Sequence, residues 1–187
     1  MDFNEFLDTK GIQLPERQYI HFEDAEDFLH RGLKYHVGDG YQWLPEYNRI
    51  VEWLKDNQGK GLLCFGDCGR GKTLICYHIL NTFFSYYMRM NYLRFDAVDL
   101  GDNLDIIKEG CTTLIDDVGT ELPYSSYGMK RECFSEIVDR AEKTGQLLII
   151  TTNLSLDNLI ERYGKRTCDR LRSITIPVLF SGDSLRT

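Results

Sequence analysis

The stretch Gly66-Asp67-Cys68-Gly69-Arg70-Gly71-Lys72-Thr73 constrains this chain more than any other. It fits G-x-x-x-x-G-K-[ST], the pattern of a phosphate-binding loop. Its glycines let successive backbone N–H groups curl round a phosphate without Cβ clashes. A helix beginning at the loop adds partial positive charge at its N-terminus. Lys72 can bridge the β- and γ-phosphates of ATP, and the Thr73 hydroxyl can ligate Mg²⁺. The expected cofactors are therefore ATP and Mg²⁺. The nucleotide set is Gly66, Asp67, Cys68, Gly69, Arg70, Gly71, Lys72 and Thr73. The alternative, a Gly-rich turn with an incidental lysine, is disfavoured by context. An apolar strand, Gly61–Phe65, runs into the loop, and a helix from Lys72 to about Tyr87 leaves it.

Beyond the loop, strand and helix patterns alternate. Strands are expected over Tyr92–Val98, Thr112–Asp116, Gln146–Thr152 and Ile174–Phe180, with helices over Met129–Lys143 and Leu156–Tyr163. Unbroken apolar strands between helices indicate a parallel sheet covered on both faces. Before the loop, Pro45 suits the first turn of a helix running to about Asn57. Residues 1–44 read as a short acidic N-terminal extension with one helix near Ala25–Tyr35, and 45–187 as the P-loop domain.

Further segments carry chemistry. Leu114-Ile115-Asp116-Asp117 delivers acids to the end of an apolar strand. Asp116 can hold the metal shell, and Asp117 can orient the attacking water. A solvated Asp-Asp turn is the bland alternative. Thr151-Thr152-Asn153 ends the fourth strand, where Asn153 can sense the γ-phosphate, serve as a helix N-cap, or belong to a simple turn. Arg166 and Arg170 share a face if their run is helical. They suit an arginine finger acting on a neighbour's phosphate, a solvated basic helix, or phosphate contacts to nucleic acid. Arg186 is either a second phosphate sensor or a tail residue. The catalytic set is thus Lys72, Asp117, Asn153, Arg166 and Arg170, with Arg186 added to the nucleotide set and Thr73 and Asp116 as metal ligands.

Composition narrows the class. Hydrophobic content of 42% and charged content of 27% suit a globular protein, and 187 residues suit one α/β domain. No apolar run reaches the ~20 residues of a membrane span, and the acidic start lacks signal-peptide character, so a cytoplasmic protein without membrane contact is expected. The net charge of −7 excludes coating of nucleic acid by bulk positive charge. The six cysteines make no Cys-x-x-Cys pair and read as reduced, mostly buried thiols.

Together these residues resemble the DnaC/IstB group of AAA+ ATPases, bacterial helicase loaders and transposase helpers. The resemblance rests on Gly66–Thr73, Leu114–Gly119, Thr152-Asn153, the Tyr163–Arg172 block and Asp183-Ser184-Leu185-Arg186, and spans about 46–187. It implies an α/β fold, a P-loop NTPase of the ASCE/AAA+ type. Its three-layer sandwich has a parallel five-stranded sheet of order 5-1-4-3-2 and no C-terminal lid domain. It implies assembly-dependent ATP hydrolysis and self-association into a ring or spiral through an arginine finger, with Arg170 the nearer match; Asp117, standing where many related ATPases carry the longer Glu, is expected to make that hydrolysis slow. The implied partner is a replicative helicase or other DNA-processing protein in DNA replication, with single-stranded DNA as a further ligand. Alternatives are a transposase helper ATPase, a small-molecule P-loop kinase, and an ATP-gated binding module with little hydrolysis. Only Gly101–Cys111 separates the second and third strands, where family members carry a longer insertion that contributes to DNA binding.

Overall fold

The computed structural model describes residues 2, 15–110, 112–122, 124–126 and 129–185. Arg186, an expected site residue, lies outside them.

Helices α1 (Ala25–Val37) and α2 (Pro45–Lys55) precede β1 (Gly61–Gly66). Helix α3 follows over 72–87. It is wound as π-helix over Leu74–Ile79 and Phe83–Tyr87, with Leu80–Thr82 as α-helix between them. Then come β2 (Tyr92–Asp96), α4 (Leu100–Glu109), β3 (Thr112–Val118), β4 (Tyr124–Ser126) and β5 (Met129–Arg131). The chain continues through α5 (Cys133–Thr144), β6 (Leu147–Thr152), α6 (Leu156–Ile174) and β7 (Thr175–Phe180).

Five strands form one parallel sheet in the order β2-β3-β6-β1-β7. Numbered along the main sheet alone this is 2-3-4-1-5, the expected 5-1-4-3-2 read from the other edge. Strand alternation divides the apolar residues between two faces. Leu62, Cys64, Leu114, Ile149 and Val178 face one core, with α1, α2 and α3. Leu63, Ile115, Leu148 and Ile150 face the other, with α4, α5 and α6. The result is the expected three-layer sandwich. In α5, Phe134, Ile137 and Val138 are all buried, each contributing about 1.5–3 kcal/mol through burial. The segment before the loop shares this core: Ile20, Phe28, Leu29 and Leu33 are buried in the same cluster as β1 and α3.

Several boundaries differ from expectation. The second strand stops at Asp96, and the 3₁₀ turn Ala97–Asp99 leaves Val98 exposed. The third strand runs on to Val118, so both Asp116 and Asp117 lie within it. The helix expected from Met129 begins at Cys133, because Met129–Arg131 pairs with Tyr124–Ser126 in an antiparallel hairpin. The short helix expected over Leu156–Tyr163 continues to Ile174. Gly164 takes φ 79° at a kink, and burial of Cys168, Leu171 and Ile174 rewards continuing the helix beyond it. Among the described residues, no helix is long and apolar enough to cross a membrane.

Candidate nucleotide site

β1 ends at Gly66, and the loop turns into α3 at the C-terminal edge of the sheet, where α/β folds bind ligands. Above the loop is a cavity of about 330 Å³, lined by Cys68, Gly69, Gly71, Lys72 and Thr73, with Asp117 of β3 and Asn153, just past β6, also on its wall. Three elements distant in sequence thus meet at one cavity.

Lys72 is buried. Its Nζ donates to the carbonyls of Gly66 at 2.8 Å and Asp67 at 2.7 Å, folding the ammonium into its own loop. Burial lowers its pKa, opposed by nearby Cys68 and Asp117. Thr73 Oγ1 donates to Asp116 Oδ1 at 3.2 Å. Asp116 is 6% exposed, and burial raises its pKa, opposed by the hydroxyls of Thr151 and Thr73. This all-oxygen pair, one hydroxyl and one carboxylate, is the donor chemistry that magnesium takes. The residues present therefore fit the ion.

Asp117 follows in a left-handed conformation, φ 55°, with its carboxylate exposed toward the cavity. Asn153 Nδ2 donates to Asp117 Oδ1 at 3.2 Å. The N-cap of α6 is Ser155, whose hydroxyl accepts from the Asn158 N–H at 3.2 Å. Asn153 is thus directed to Asp117 rather than used as the cap.

The side chains of the loop's variable positions serve two ends. Cys68 is exposed to the cavity. Asp67 and Arg70 instead hold the chain's last described segment. Asp67 Oδ2 accepts from the Gly182 N–H at 2.8 Å, and Arg70 Nη1 donates to the Asp183 carbonyl at 3.3 Å. The Leu185 N–H donates to the Gly69 carbonyl at 3.0 Å, placing Leu185 on the cavity wall. Gly69 takes φ 76°, and a Cβ there would lie 2.0 Å from Ser184 Oγ, so close docking of this tail requires glycine.

The opposite wall comes from residues that sequence reasoning did not mark. Leu33 and Val37 of α1, Tyr41 and Gln42 of the following loop, and Tyr47 of α2 line the cavity. The Tyr47 hydroxyl donates to the Arg70 carbonyl at 3.2 Å. Burial, then the charge of Glu46, pushes the Tyr47 pKa up to about 12, so the phenol stays a donor. Leu33 and Val37 are spaced i, i+4 and share a face, but no local signal says that α1 docks beside the loop. Thr151, outside the expected set, also reaches the site through its hydroxyl bond to Asp116. It lies two positions before Asn153, the period by which an extended chain returns to one face.

Arg166 and Arg170 do not line this cavity. Both border a shallow cleft between α5 and α6. Arg166 is exposed, whereas Arg170 is ion-paired with Asp139 and, at 2.9 Å, with Glu142.

No protein-family model and no curated protein matches the chain. Solved structures do. The chain is similar to the DnaC helicase loader, with 21% identity over 83% of this chain and 99% of that one, at a TM-score of 0.62. It is similar to DnaI, with 18% identity over 81% and 94%, at a TM-score of 0.60. It is also similar to AMPPCP-bound DnaA from Aquifex aeolicus, with 14% identity over 74% of this chain and 48% of that one, at 0.54. At these identities the likeness concerns architecture: the chain has a DnaC-like AAA+ fold.

Proposed function

We propose that this chain binds and hydrolyses ATP as an AAA+ protein of helicase-loader type. On this reading it is an oligomeric, nucleotide-controlled switch that acts on a replicative helicase in the cytoplasm. One observation carries the reading: Thr73 meets Asp116 at 3.2 Å and Asn153 meets Asp117 at 3.2 Å around the cavity that holds Lys72.

Each group then has a task. The N–H groups of the loop and the start of α3 cradle the β-phosphate. Lys72 leaves the two loop carbonyls for the β- and γ-phosphate oxygens. Thr73 and Asp116 would hold magnesium, which would supply charge neutralisation on those phosphates. Asp117 accepts a hydrogen bond from the attacking water and orients it, and Asn153 fixes that carboxylate in place. Leu33, Val37 and Tyr41 offer the apolar and aromatic surface that a purine base requires. Arg170 acts in trans, exchanging Asp139 and Glu142 for the γ-phosphate on a neighbouring subunit. The likeness to the DnaC helicase loader supports the choice of partner.

Asp117→Asn should trap the ATP-bound state. The trapped protein used as bait should retain a replicative helicase. Retention of a transposase instead would select the helper reading, and retention of neither would count against both. A second reading, an ATP-gated module with little hydrolysis, is favoured by the short reach of Asp117 and its bond to Asn153. Turnover well above ~1 per minute excludes it.

A further inference from the structure

β3 and β6 pair in register from Thr112↔Leu147 to Ile115↔Ile150, and the next pair is Val118↔Thr152. Over that interval β3 takes three steps and β6 takes two. The extra residue is a bulge, and it falls on Asp116 and Asp117. The bulge turns two consecutive acids, which a regular strand would point to opposite faces, toward one site. It also places Asp117 at φ 55°, a backbone conformation that needs holding.

What holds it is a side chain. The Asp117 N–H donates to Thr151 Oγ1 at 2.9 Å, and the same hydroxyl donates its proton to Asp116 Oδ1. One hydroxyl therefore accepts from one acid's backbone and donates to the other acid's carboxylate. The oxygen it reaches is also the one that Thr73 contacts. Thr151 is fully buried, which shields both bonds from bulk water. Its neighbour Thr152 donates to the Val118 carbonyl and accepts from the Leu154 N–H at 3.1 Å, so its bonds end on backbone.

We propose that Thr151 is a positioning residue for the magnesium end of the nucleotide site. Its hydroxyl fixes Asp116 Oδ1 relative to Thr73 and locks the Asp117 backbone, so that metal ligand and water-orienting carboxylate keep one spacing. The inference rests on reading Asp116 and Thr73 as that magnesium end. In Thr151→Val, which preserves shape, the Asp117 N–H loses its acceptor and Asp116 loses its shortest donor. Lys72 and the loop amides are untouched. The loss should therefore fall on the magnesium-dependent part of nucleotide affinity. Thr151→Ser retains the hydroxyl and should retain the function.

The test measures binding of a fluorescent ATP analogue, with magnesium and with EDTA, to wild type, T151V and T151S. The three proteins should bind alike in EDTA. Magnesium should tighten wild type and T151S, whereas T151V should lose about 10-fold or more of that gain, the usual cost of losing a partner that orients a metal ligand. Turnover in magnesium should fall in T151V, and KM for ATP should rise with the lost magnesium gain. A T151V protein with the wild-type magnesium gain overturns the inference, as does a T151S protein as impaired as T151V. Wild type that binds no nucleotide in either buffer overturns the reading of the site itself, a distinguishable result. If circular dichroism shows T151V unfolded, Thr151→Ala takes its place, and a wild-type magnesium gain in that variant is equally decisive.

Discussion

Arg70, in the phosphate loop, donates to Glu46 of α2 at 2.7 and 2.9 Å, and both side chains are buried. A loop residue expected to face the nucleotide thus ties the loop to a neighbouring helix and, through the Asp183 carbonyl, to the tail. Removing one partner leaves the other as a buried, uncompensated charge. Glu46→Ala should therefore lower stability by about 3–5 kcal/mol in urea denaturation. Nucleotide affinity should fall with it, because the loop loses its anchor. Denaturation at the wild-type urea midpoint would show that the pair does not hold the loop.

Arg170 offers a contrasting case. Its bonds to Asp139 and Glu142 are partly exposed, so solvent screens them and exchange for another anion costs little. Arg170→Ala should lower assembled-state turnover by at least ~10³-fold, the lower end of what such fingers supply. Nucleotide affinity should be unchanged. Steady-state hydrolysis measured across protein concentrations distinguishes this from a structural role. Wild-type turnover by the variant at high concentration would dismiss the finger.

The wall formed by α1 should recognise the base rather than the phosphates. Val37→Glu places a carboxylate on that wall and should weaken ATP and ADP alike by ~10-fold, or about 1.4 kcal/mol. Inorganic tripolyphosphate should compete equally well with both proteins. If tripolyphosphate binding also falls, the cavity is not divided between base and phosphates as argued.

Glu136 gives a prediction in pH. Arg131 and Lys108 both contact its carboxylate, at 2.5 and 2.7 Å, tying α5 to the hairpin and to α4. The Arg131 hydrogen bond, more than that of Lys108, holds its pKa down to about 2, from an ordinary value of 4.5. A depressed acid stabilises the fold above its unfolded pKa and loses that contribution as pH falls through the folded one. Wild type should therefore lose stability between pH 4.5 and about 2, and Glu136→Gln should lose less over the same window. Urea midpoints at a series of pH values test this, and parallel profiles would contradict it.

The chemistry of the loop was legible because it is contiguous: eight successive residues specify the turn, the donors and the start of α3. The sheet was legible because its central strands are unbroken apolar runs, as in Leu147-Leu148-Ile149-Ile150. What escaped depends on tertiary structure. Gly164 reads as a helix stop, yet packing of Leu171 and Ile174 carries α6 past it. Met129–Arg131 reads as helix, but pairing with Tyr124–Ser126 wins. The base-side wall depends on α1 docking against α3, where Gly32 lies so close that a Cβ would meet Ile79 at 2.7 Å. No local pattern announces that contact. The Asp116–Asp117 bulge likewise exists only in relation to β6.

If ATP and magnesium bind where Lys72, Thr73 and Asp116 converge, calorimetric titration of ATP with magnesium should separate wild type from Lys72→Ala. Wild type should show saturable binding at one site per chain, weakened by at least ~100-fold in the variant, because a buried cation that contacts two phosphates is lost. Equal binding by the two proteins, or no binding by wild type, would contradict that site.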